Sequence, residues 1–441
     1  MNLRLTLETI RDVAIQGLSE LPRESRVPLT YPKLRSDREV VPAVQLATDF
    51  AQAIPAGFTG VQVARVTSPR VSSKSCTTPS SSHVSAWSAD SQHYYVRTVP
   101  GEYIVFTREG QEVARPGFTF EPTFSLVRPG VLIGIGKGGS VVCEYDLGTK
   151  TLRDVLDLKM LPGWPLGEAY AGTLVASAAP ERIAVIYGGR GQDLHTKCVV
   201  YDVEAHDWQI VDSMMQALGF KIHGMALDKS GQYLALYPTA ADLRQGKSIG
   251  YLHDLNGPDD RRWLPLEPWA HGHAAYGFNC YVNQSGDGGG PYDAYQWKYR
   301  TLNDPATWRN LIPQVLRPAL VQGGDHSCYH NAQPDVQVPF CTATYRKDAP
   351  IDPCPRRAWD DEVLMVATDG SGSVWRVGPH YSITERANGS LIYWATPRPQ
   401  ISPDGLSIIS TSNLMGTLGA DTSDGELGGM RCDVLKYDLE V

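Results

Sequence analysis

Residues 395–414 read A-T-P-R-P-Q-I-S-P-D-G-L-S-I-I-S-T-S-N-L, an apolar strand, an S-P-D-G turn and a second alternating strand. In such a turn Asp404 bonds its own backbone and Gly405 takes a positive φ, which joins two antiparallel strands. Weaker copies precede His93-Tyr94-Tyr95-Val96, at Ser88-Ala89-Asp90-Ser91, and Tyr233-Leu234-Ala235-Leu236, at Asp228-Lys229-Ser230-Gly231. A strand-turn-strand unit that returns along a chain cannot bury its own apolar face, so its copies must pack on one another. This recurrence constrains the fold more than any other feature.

Units begin near His83, Glu121, Gly172, Lys221, His271, Asp325 and Ala395. Most intervals are roughly 40–55 residues, the period of a β-propeller blade. Four segments with alternating apolar residues and an Asp before a turn read as the outer strands of their units: Val142–Leu147, Val199–Val203, Tyr251–Leu255 and Val434–Leu439. The abundance of turn formers, 42 Gly and 31 Pro in 441 residues, suits many short strands. The expected fold class is all-β, a seven-bladed β-propeller over residues 59–441, with six or eight blades as alternatives. Residues 1–58 read as an N-terminal arm. Leu5, Leu7, Ile10, Ala14 and Leu18 give it a short amphipathic helix, and an extended stretch follows through Leu29-Thr30-Tyr31. The arm is expected to be held by the propeller or by a partner subunit. Gly60–Thr67 reads as a strand that closes the ring on the last blade.

Net charge of −8 excludes a global field for nucleic acid. No apolar run approaches the roughly 20 residues of a membrane span. Arg4, Glu8, Arg11 and Asp12 interrupt any secretion-signal core, so synthesis in the cytosol is expected, with the final location left open. The eight cysteines form no C-x-x-C and read as buried thiols. Gly134–Gly139 reads as a hairpin turn and not a phosphate loop, because a strand and no helix follows. Asp287–Pro291 and Asp421–Gly429 read as long flexible loops.

Two segments resemble the oligogalacturonate lyase family and related propeller-fold polysaccharide lyases. T-G-V-Q-V-A-R-V-T-S-P (Thr59–Pro69), followed by His83 and the S-A-D-S turn, is similar to that family's opening blade. T-P-R-P-Q-I-S-P-D-G (Thr396–Gly405) is similar to its metal-bearing segment. The family reads H-P-H there with a Gln three residues earlier, and these side chains help bind a divalent metal. Here Thr396-Pro397-Arg398 and Tyr393 hold those positions, and an Arg repels a cation. No cofactor is therefore expected; a divalent metal on His223, His273 and His326 is the alternative.

Inner strands of a propeller line its channel, so residues at unit starts converge from distant parts of the chain. His83, His223, His271, His273, His326 and His330 occupy such positions, with Arg398 and Gln400 at the last unit. Polyuronate β-elimination removes a proton beside a carboxylate, and needs a cation for the acid and a base for the proton. The resemblance places the base at His273, with His271 its rival, and a neutral imidazole suits that task. Arg398 is the candidate carboxylate clamp, and Tyr276 or Tyr329 the candidate proton donor. His83, His223, His326 and Gln400 are expected to bind substrate. Each of these histidines has an ordinary alternative, a hydrogen bond between blades. Trp297, Tyr299 and Trp308 offer sugar-stacking surfaces or blade packing. The competing function is a non-catalytic interaction propeller in a larger assembly such as a virion or surface complex, with a protein partner instead of an acidic oligosaccharide.

Overall fold

The structure is a computed structural model that describes residues 29–37, 58–80, 83–99, 101–136, 138–162, 164, 170–188, 195–211, 222–238, 250–257, 263–266, 274–285, 296–312, 323–329, 332, 338–344, 359, 361–386 and 388–440. Their strands form seven four-stranded antiparallel sheets, the blades of a seven-bladed propeller. Blades 1 to 6 follow chain order, with inner strands at Cys76–Thr77, Thr123–Phe124, Tyr170–Ala176, Ile222–Leu227, Ala275–Tyr276 and Gly323–Cys328. Blade 7 takes Gln400–Ile401, Ser407–Ser412 and Asp433–Leu439 from the chain's end, and Val61–Arg65 from near its start. Val61 pairs with Leu439, Val63 with Tyr437 and Arg65 with Leu435, so the ring closes as the sequence implied.

The turns work as their residues require. In blade 7, Ser402 Oγ donates to Asp404 Oδ1 (2.5 Å), the Leu406 N–H bonds the same oxygen (3.0 Å), and Gly405 takes φ +73°. Ser88 and Asp90 repeat this in blade 1. In blade 4 the acid and the hydroxyl exchange places: Asp228 accepts from Ser230 Oγ (2.6 Å) and the Tyr233 N–H (2.8 Å). A hydroxyl and a carboxylate two residues apart thus hold the turn in either order.

The core lies between blades. Val131, Ile133 and Ile135 of blade 2 pack on Leu174, Ile183 and Val185 of blade 3. Val175, Ala184 and Ile186, on the other face of blade 3, pack on Met225, Leu234 and Leu236 of blade 4. Each buried aliphatic side chain contributes about 1.5–3 kcal/mol. The segments read as outer strands are third strands instead: Val141–Asp146, His195–Asp202, Tyr251–Asp254 and Asp433–Leu439 each carry a fourth strand outside them. Fourth strands such as Thr151–Asp157 are largely exposed and polar, so they lack the alternation that marks a half-buried strand.

The segment 29–37 lies on blades 6 and 7. Tyr31 donates to the Gly405 carbonyl (2.9 Å) and meets Trp375 edge-on. The expected helix over residues 5–18 falls outside the described residues, as do Asp287–Pro291 and Cys354. The other seven cysteines are free and buried. Gly136–Gly139 is the hairpin turn expected, closed by Gly136 N–H on Val141 O. The segment 421–429, expected to be a flexible loop, is instead folded. Asp421 accepts from the backbone N–H and hydroxyl of Ser75, and Leu427 is buried beside Ile392 and Trp394. Among the described residues no helix is long and apolar enough to cross a membrane.

Candidate functional site

Inner strands begin at one face, and blade 1 departs there from the regular pattern. Thr77 pairs with Arg97 and Trp87 with Tyr94, so residues 78–86 of the inner strand stand against only 95–96 of its neighbour. From the described part of this excess chain, the His83 imidazole lies 6.0 Å from the rings of both Tyr237, on blade 4, and Tyr276, on blade 5. The Tyr237 and Tyr276 hydroxyls are hydrogen-bonded to each other, and Tyr276 stacks on Tyr281 at 5.3 Å. Burial pushes the pKa of both phenols up, so they keep their protons at neutral pH and can donate but not abstract one.

Two of the sequence candidates, His83 and Tyr276, are thus brought together. Tyr237, which the sequence reading missed, joins them; in Y-L-A-L-Y it looks like an ordinary alternating core residue. Tyr329, the other candidate donor, packs between blades 5 and 6 with its hydroxyl on Thr368 (2.9 Å).

Arg398 and Gln400 lie at the start of blade 7. The Gln400 carbonyl accepts from Trp87 Nε1 (2.9 Å), and its side-chain Oε1 is buried with no partner among the described residues. Arg398 is 0% exposed. Its guanidinium covers the rings of Tyr393 (4.4 Å) and Trp394 (5.1 Å), and Nη2 donates to the Tyr393 carbonyl. Thr396 Oγ1 donates to that carbonyl too (2.7 Å). The side chains at the two H-P-H-like positions therefore tie down a short turn, Tyr393–Ala395, and present no ligand for a cation. Arg398 Nε and Nη1 are buried with no hydrogen-bond partner among the described residues. Burial lowers the pKa of this guanidinium, against the opposing influence of Tyr393 and the Glu121 carboxylate. Beside it, Arg97 stacks on Trp394 (4.6 Å) and faces Glu121. Arg97, Glu121, Tyr393 and Trp394 were not among the expected site residues, although Glu121 stands at a unit start and Tyr393 at the Gln-like position; nothing in the local sequence distinguishes Arg97 and Trp394.

His223 and His326 fall on the inner strands of blades 4 and 6, but their side chains lie outside the described residues, as do His271, His273 and His330. No three His, Cys, Asp or Glu side chains among the described residues are grouped to hold a metal. Trp297, Tyr299 and Trp308 lie on the third and fourth strands of blade 5, away from the axis. Trp297 packs on Phe340, Tyr299 lies under Arg309 and Trp308 under Lys298. Trp297 and Tyr299 belong to the packing between blades 5 and 6, whereas Trp308 stands 43% exposed.

Fold and site together define a seven-bladed β-propeller with a cationic, aromatic cluster at the face where its inner strands begin. Among solved structures it is similar to an oligogalacturonate lyase in complex with manganese: 14% identity, TM-score 0.57, with 92% of this chain and 99% of that one covered. It is also similar to an oligogalacturonate lyase from Vibrio parahaemolyticus: 11% identity, TM-score 0.55, with 93% and 98% covered. At these identities the likeness is one of fold. No protein-family model and no curated protein sequence matches the chain.

Proposed function

We propose that the chain binds acidic oligosaccharides at the face where the inner strands begin, and cleaves polyuronates there by β-elimination. One observation carries this reading: the fully buried Arg398 guanidinium, with Nε and Nη1 unpartnered among the described residues. A charge in that state calls for an anion, and a carboxylate can take two parallel bonds from one guanidinium. Pairing with Arg398 withdraws charge from the uronate carboxylate and makes the C5 proton more acidic. A neutral imidazole, His273 in this reading with His271 as the alternative, takes that proton. The C5–H electron pair becomes the C4–C5 double bond, the C4–O bond breaks, and the leaving oxygen takes a proton from Tyr276. The Tyr237 hydroxyl holds Tyr276 in place, and His83 packs on both rings. The chain's likeness in fold to two oligogalacturonate lyases supports the substrate class.

The test is incubation with oligogalacturonides, oligoglucuronides and alginate while the ultraviolet absorbance of the unsaturated product is followed. Absence of product from all three, with folded protein, removes the elimination reading. A non-catalytic interaction propeller is the second reading. It is favoured by Leu152 and Met160, which stand 50% and 81% exposed on the outer side of blade 2. A strictly monomeric protein that retains no partner would count against it.

A further inference from the structure

Two guanidiniums share one indole in the entry-face cluster. Arg97 lies 4.6 Å and Arg398 5.1 Å from the centre of the Trp394 ring. Arg398 is closed off, whereas the side chains of Arg97 and Glu121 are 20% and 13% exposed, so the cluster opens to solvent at their end. Glu121 does not close on Arg97. Its carboxylate accepts from the N–H (2.6 Å) and hydroxyl (3.0 and 3.1 Å) of Ser80 and stays 3.9 Å from Arg97 Nη1. Arg97 Nη1 makes only a long contact with Ser80 Oγ (3.5 Å). Arg97 Nε, Arg398 Nε and Nη1, and Trp394 Nε1 are all buried without a hydrogen-bond partner among the described residues. Among the described residues, two positive charges and one negative charge thus stand beside a set of unanswered donors.

We infer that Glu121 sets the charge this cluster accepts. By offsetting one of the two guanidiniums it leaves room for a single negative charge, so the site takes a monocarboxylate and disfavours doubly charged sulfate and phosphate. Arg97 is the second limb of the site, and Glu121 is its specificity-determining residue. At low effective dielectric one extra like charge a few ångströms away outweighs any difference in hydrogen-bond geometry between these anions. This deepens the anion-binding half of the proposed function and does not depend on elimination.

The experiment measures binding of acetate, galacturonate, sulfate and phosphate at pH 8 and constant ionic strength, by calorimetry and Trp fluorescence. It uses the full chain and the variants Glu121→Gln and Arg97→Gln. The full chain should bind acetate and galacturonate at least about tenfold more tightly than sulfate. Glu121→Gln should shift the sulfate-to-acetate affinity ratio toward sulfate by about tenfold or more. Arg97→Gln should lose carboxylate binding by about tenfold or more. Equal affinity for sulfate and acetate in the full chain, or an unchanged ratio in Glu121→Gln, overturns the inference. Should Glu121→Gln not fold, Arg97→Gln decides, and undiminished acetate binding by it is equally fatal. Carboxylate binding without unsaturated product removes the elimination reading alone. Product formation with sulfate preferred removes this inference alone.

Discussion

Arg398 and Arg376 are both 0% exposed, yet their surroundings are opposite, and replacing each by Met separates a binding cation from a structural one. Arg376 makes two bonds to Glu362 (2.8 and 2.5 Å) and reaches Asp37 at 3.2 Å. Removing it strands a carboxylate that is itself 1% exposed, which costs about 3–5 kcal/mol. For Arg398 the loss is one charge-assisted bond to a carbonyl, about 1.5–3 kcal/mol, and stacking on two rings, about 1–2 kcal/mol. Set against it is relief of two unpaired buried N–H groups at about 1–3 kcal/mol each. The two sides nearly cancel, so Arg398→Met should change stability by no more than about 2 kcal/mol in either direction. Urea unfolding midpoints of both variants beside the parent, in buffer free of carboxylate and sulfate, make the comparison. Galacturonate should then raise the midpoint of the parent and of Arg376→Met, but not of Arg398→Met. If Arg398→Met falls as far as Arg376→Met, Arg398 is a satisfied structural group and the anion-site argument collapses.

Gly405→Ala should cost about 1–3 kcal/mol, because the residue holds φ +73° and its Cβ would stand 2.5 Å from the Tyr31 hydroxyl. Limited proteolysis should then cut near residues 29–37 sooner than in the parent. At Asp421 burial raises the carboxyl pKa, but hydrogen bonds from Ser423 and Ser75 outweigh it and bring the value from 3.8 to about 2. A depressed carboxylate contributes stability that is complete above its unfolded value and is lost as pH falls through the folded one. Asp421→Asn should therefore cost about 1–2 kcal/mol at pH 7, and the difference should shrink between pH 4 and pH 2 in an acid titration of the unfolding midpoint. Tyr237→Phe removes the bond that holds Tyr276, at about 1 kcal/mol. If Tyr276 donates the proton, this variant lowers the turnover of oligouronides while leaving galacturonate affinity unchanged; equal loss of both would argue against that role.

The blades were readable because the residues that make them act on near neighbours. Asp404 and Gly405 shape a turn within four residues, and the run from Ser407 to Ser412, with Ile408, Ile409 and Thr411 β-branched, declares a strand without reference to the rest of the chain. The ring closure at Val61–Arg65 was also within reach, since a lone strand before the first unit has only one open edge to join. A fourth strand such as Thr151–Asp157 was not, because it is largely exposed, is held by its neighbour's backbone and carries no regular pattern of its own. For the site, a position at a unit start was enough to mark His83, Arg398 and Gln400, and Tyr276 was marked as well. Nothing local told that His83 would lie against Tyr237 of blade 4.

What the sequence determined by itself is the repeated sheet and therefore the propeller, because turn chemistry and strand-forming composition are properties of adjacent residues. Only the tertiary structure decided which of two equally buried arginines has an acid to answer it. Arg376 meets Glu362 within its own blade, while Arg398 meets Trp394, Arg97 and a carboxylate already engaged by Ser80. Charge balance in a buried cluster depends on side chains brought in radially from several blades, and no stretch of the chain records that sum.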